Sequence, residues 1–144
     1  MCVNGFFRTA LLLLLLILPA CSPVASNVED PGDVNFEERF GIEVVALRTS
    51  AAGHMLDFRY RVVDLDKAML FFREDIKPYV VDQKTGKSLT VPVPAKLGPM
   101  RPTGRNPKLG ITYWMFFGNP GLIKSGDLIT LVVGDYQLEN LMVE

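Results

Sequence analysis

Between residues 56 and 62 the chain alternates with a period of two. Leu56, Phe58, Tyr60 and Val62 fall on one side, and Asp57, Arg59 and Arg61 on the other. Successive side chains of an extended backbone point to opposite faces, so this stretch reads as a half-buried strand with its polar face toward water. A helix repeats its faces every 3.6 residues or about that, and cannot use the pattern. The same period runs upstream, where Ile42, Val44 and Ala46 alternate with Glu43, Val45 and Leu47 in a strand ending near Thr49. Ala51, Ala52 and Gly53 form the turn between the two.

Further along, Tyr79-Val80-Val81-Asp82 and Ser88-Leu89-Thr90-Val91 flank a short polar stretch with Gly86 at a turn position, which is a hairpin pattern. Strands are expected over residues 111–117 and 128–133, with a last one ending at Val143. Asn119-Pro120-Gly121 and Gly134-Asp135 are the turns between them. Asp64 or Asp66 is placed to cap a short helical turn carrying Met69, Leu70 and Phe72. Residues 92–110 hold five prolines and three glycines with little periodicity, and read as one long loop. About seven short strands with frequent turns and almost no helical pattern predict an all-β antiparallel sandwich for residues 39–144. The expected topology is immunoglobulin-like, although the disulfide and buried-tryptophan signature of antibody domains is absent.

The N-terminus has a different grammar. Arg8 supplies one positive charge, residues 10–18 are apolar, and the run closes on Leu18-Pro19-Ala20-Cys21. Nine apolar residues fall well short of the roughly 20 that a spanning helix needs. The order of charge, apolar core and small residue before a cysteine resembles a bacterial lipoprotein signal peptide. That resemblance implies removal of residues 1–20 and a thioether-linked diacylglycerol plus an N-acyl group on Cys21. Each buried methylene contributes about 0.8 kcal/mol, so three chains would hold the protein to a membrane permanently. Ser22, in place of Asp, implies the outer membrane rather than the inner one if the cell has two. The expected location is thus the cell envelope, lipid-anchored and facing the periplasm. Residues 21–38 are polar, acidic and broken by Pro and Gly, and read as a flexible tether behind the lipidated end.

The 124 residues left after the signal suffice for one domain with a real core. They carry fourteen Lys plus Arg against sixteen Asp plus Glu, a mild acidity that argues against nucleic acid as a partner. With Cys2 discarded and Cys21 lipidated, no disulfide can form within the mature chain, and the core alone must hold it.

Charge is unevenly spread. From Gln83 to Gly126 there is no Asp or Glu, while Lys84, Lys87, Lys96, Arg101, Arg105, Lys108 and Lys124 add seven positive charges. Loops gathered at one end of a sandwich would make these a basic patch for an anionic envelope protein, lipid headgroup or wall polymer. Lys96, Arg101, Arg105 and Lys108 in the proline-rich loop are the expected contacts. The alternative is that they sit apart and only solubilise their loops. Tyr113-Trp114-Met115-Phe116-Phe117 places aromatic residues on both faces of one strand, which reads as a central, doubly buried strand, with Trp114 the residue to watch for partner contact.

His54, Met55 and Met100 are soft ligands and define an alternative reading as a copper-handling lipoprotein, but they stand at no ligand spacing. Gly86-Lys87-Ser88 lacks the earlier glycine and following helix of a phosphate loop. A single histidine and no nucleophile elbow leave catalysis without support. The reading is a non-enzymatic binding or scaffolding domain with no cofactor.

Overall fold

The computed structural model describes residues 36–144. The signal peptide, Cys21, Ser22 and most of the expected tether lie outside the described residues. β1 (Ile42–Ser50) and β2 (Met55–Val62) form the first hairpin, and β2 keeps its apolar face inward, while Asp57 on the other face is buried against Arg48 and Arg59 rather than open to water. Leu56, Phe58, Tyr60 and Val62 are each no more than 1% exposed. In β1 the phase breaks. The pairing passes from Val44 opposite Tyr60 directly to Ala46 opposite Arg59, so Val45 is the extra residue of a β-bulge. Beyond it the faces invert, and Leu47 rather than Ala46 enters the core.

β2 pairs on its other side with β5 (Thr112–Gly118), giving a three-stranded sheet in the order β1-β2-β5. The second sheet is built from β3 (Tyr79–Asp82), β4 (Ser88–Thr90), β6 (Leu128–Val133) and β7 (Tyr136–Met142) in the order β4-β3-β6-β7. All pairings are antiparallel. The result is an all-β sandwich of seven strands in two antiparallel sheets, with β4 beside β3 rather than beside β5.

The core lies between the sheets and is rich in aromatic residues. The Tyr60 ring sits 5.1 Å from Phe71 and 5.6 Å from Phe58, and Phe72 meets Tyr113 edge-on at 4.8 Å. Burying each such side chain stabilises the fold by about 1.5–3 kcal/mol. A short helix, α1 (Phe36–Phe40), closes one end by placing Phe40 against Phe71 and Tyr136. Its first residues fall within the span that composition assigned to the tether. α2 (Leu65–Ala68) starts at Asp64, whose carboxylate accepts from the main-chain N–H groups of Asp66 and Lys67. The tighter turn Met69–Phe72 that follows delivers Phe71 and Phe72 to the core. Gly41 is required here, since its φ is +62° and an added Cβ would lie 2.5 Å from the Asp64 carbonyl oxygen.

β5 is an edge strand, which corrects the expectation of a central one. Met115 and Phe117 are buried, whereas Trp114 on the outer face remains 40% exposed. Its aromatic partner on that face is Phe116, at 5.3 Å. The outer aromatics are covered in part by charge instead of by another sheet. The Arg59 guanidinium lies 5.9 Å from the Phe116 ring and is held by two bonds to Asp57.

Candidate functional site

Residues 92–110 form a strap along the β5 edge. Near its start, the Pro92 ring sits where a side chain on Gly118 would make contact at 3.6 Å. Midway, the Met100 carbonyl accepts from the Phe116 main-chain N–H. At the far end the Lys108 N–H donates to the Tyr113 hydroxyl, and the Gly110 N–H to the Val62 carbonyl. Unpaired edge strands invite pairing with other chains, and this strap covers the edge with a segment that is itself poor in N–H donors.

Between the strap and the β3–β4 hairpin runs an open groove of about 780 Å³, within the size range of small-molecule sites. Pro78, Tyr79, Val91, Val93 and Pro99 make its walls largely apolar, and Glu74, Lys77 and Arg101 supply its charges. A smaller, shallower depression at the opposite end lies between Lys87 and Leu122.

Arg101 fixes the strap. Its side chain is buried, and the guanidinium donates from Nη1 to the Phe71 carbonyl at 2.9 Å. From Nη2 it donates to the carbonyls of Arg73 at 2.8 Å and Ile76 at 2.5 Å. Desolvation lowers its pKa from the usual arginine value, with Tyr60 and Glu74 opposing the shift. Arginine nevertheless keeps its charge in proteins. None of the ion pairs among the described residues includes it. Three of its five N–H groups are used, and Nε–H and one Nη1–H carry no hydrogen bond to the described residues.

This placement corrects the expectation that Arg101 presents its charge on an exposed loop. The other cations are shared between the strap and the two ends of the sandwich. Lys84 and Lys87 lie in the β3–β4 turn and Lys124 in the β5–β6 connection, at the end where Asn119 joins Gly53. Arg105 and Lys108 are exposed near the other end, where Gly104 donates to Phe72 and Gly110 to Val62. Lys96 is exposed on the strap between them.

His54 is exposed at the β1–β2 turn, and Met55 pairs opposite Gly118 on one side of β5. Met100 contacts β5 from the other side, so the strand stands between these three candidate ligands. Among the described residues no cluster of three His, Cys, Asp or Glu is arranged to hold a metal.

Sequence patterns did not point to Asn119, which is 2% exposed and fully bonded. Its amide Nδ2 donates to the carbonyls of Gly53 and Ile123, and its Oδ1 accepts from the N–H groups of Leu122 and Ile123. The Asn-Pro-Gly sequence marked a turn, but not a buried staple between two loops. Glu74, Lys77 and Tyr79 were likewise missed, since only the fold brings the β2–β3 connection against the strap. Compared with models of protein families, with curated proteins and with solved structures, the chain finds no match.

Proposed function

We propose that this is a lipid-anchored cell-envelope protein, attached through Cys21, whose β-sandwich is a non-enzymatic binding module. The N-terminal motif supports the anchor, and Ser22 favours the outer membrane in a cell that has two. The observation that carries the binding role is the groove under the strap, a concave apolar surface with a few placed charges on a rigid sheet scaffold. Its walls come from a strand, a hairpin end and a proline-rich loop, so it is preformed rather than assembled on contact. Its partner is an envelope component rather than nucleic acid.

Two measurements test this reading. Cells fed a fatty-acid analogue should label the protein, and Cys21→Ser should abolish the label. A photo-crosslinking residue at Val93, on the groove wall, should form an adduct in living cells. The same residue at Glu139, on the exposed face of β7, should not. Equal yields at the two positions would remove the groove from the function.

A further inference from the structure

We infer that the groove takes an amphiphile with one carboxylate head and an apolar chain, its head seated on Arg101. The inference rests on the reading of the groove as the binding surface and adds the chemistry of what enters it. Arg101 is 6% exposed. Such a charge is ordinarily paired with an opposite one, because desolvation is expensive. Here its hydrogen-bond partners are three neutral main-chain carbonyls, Glu74 acts on it only through space without an ion pair, and two N–H donors carry no bond to the described residues. The guanidinium is therefore locked in orientation by one side of its fork while donors remain for an acceptor. With both Nη2 hydrogens spent, the remaining Nε–H and Nη1–H lie on different sides of the guanidinium, and a carboxylate oxygen takes one of them as a single charge-assisted hydrogen bond.

Charge sets the head at a single negative unit. The groove is lined by Lys77 and Arg101 against Glu74, an excess of one positive charge. A monoanion neutralises it, whereas a doubly ionised phosphate overshoots. The walls select the tail. Pro78 and Pro99 have no main-chain N–H, and Val91 and Val93 offer hydrocarbon. An extended peptide brings N–H and C=O groups that need partners along its length, and these walls supply few. A hydrocarbon chain needs none.

The test uses the full chain carrying Cys21→Ser, so that no attached acyl group competes. Arg101 is left intact because it holds the strap. Calorimetric titration with laurate should show one molecule bound per chain. Dodecanol, with the same chain and no charge, should bind at least about tenfold more weakly, as expected for loss of a charge-assisted hydrogen bond. Val93→Asp places a like charge on the exposed wall and should weaken laurate by about tenfold or more, and Lys77→Gln by a few-fold.

Equal binding of laurate and dodecanol would overturn the assignment of the head. Stronger binding to phosphatidylglycerol vesicles than to laurate would assign the groove to a bilayer surface instead. Absence of laurate binding, with crosslinking at position 93 intact, would defeat the ligand class and leave the binding module standing. Loss of both would defeat both.

Discussion

Two loops of this sandwich are each pinned by one buried polar side chain, and the two pins differ in one respect. Asn119 ties the β5–β6 connection to the β1–β2 turn and uses every hydrogen-bonding group it has. Arg101 ties the strap to residues 71–76 and leaves two donors over. Asn119 is neutral, saturated and no part of the groove lining, and its chemistry is complete within the chain. Arg101 is charged, unsaturated and part of the groove lining. A buried polar residue that satisfies itself is structural, whereas one that holds its position and still has capacity is a structural residue with a surplus.

The comparison is broken most directly by removing each pin. Arg101→Ala strands three carbonyls and should cost about 3–5 kcal/mol. Asn119→Ala strands two carbonyls and two N–H groups and should cost about 2–4 kcal/mol. Denaturant unfolding reads both. If either change costs under about 0.5 kcal/mol, a typical surface effect, that side chain is not a pin.

Asn119→Asp sharpens the neutral case. Its carboxylate would face the Gly53 and Ile123 carbonyls in place of an amide donor, so at neutral pH it should destabilise more than Asn119→Ala. Protonation restores a donor, and the deficit should shrink as pH falls. A deficit independent of pH would mean that the carbonyl contacts matter little.

Asp82 is a third pin, holding the β3–β4 turn through bonds from the Thr85 hydroxyl and the Lys84 N–H. The Thr85 bond comes first among the causes that hold its carboxyl below the usual 3.8. Its stabilisation is fully present above the unfolded value and is lost as pH falls from there through the lower folded value. Asp82→Asn should flatten that acid limb of the stability curve, measured as melting temperature against pH. A limb of unchanged steepness would assign it to other carboxylates.

The smallest expected change is a gain. Ala51 and Ala52 in the β1–β2 turn have φ of +49° and +54°. Such left-handed backbone costs a non-glycine residue about 1–2 kcal/mol. Ala52→Gly should therefore stabilise the fold by up to about 1 kcal/mol, offset by the greater freedom of glycine in the unfolded chain. Destabilisation would show that the turn is not strained.

The sheets were legible where polarity alternates, as in β2, and where Gly or Asn-Pro-Gly marks a turn. β1 was less so, because Val44, Val45 and Leu47 are all apolar and a bulge among them changes no pattern. The edge position of β5 was hidden by Trp114 and Phe116, which look buried until the Arg59–Asp57 pair is seen beside them. The groove could not be read at all. Arg101 in a proline-rich loop looks solvated, and the carbonyls that bury it belong to residues whose side chains say nothing of them. Its walls come from segments that only the fold brings together.

The most direct test of the surplus on Arg101 is its Nε–H resonance in a nitrogen–proton correlation spectrum, followed during addition of laurate. The resonance should move and exchange more slowly with water as the carboxylate takes the free donor, while the Asn119 Nδ2 pair stays in place. An Arg101 signal unchanged at saturating laurate would contradict the account.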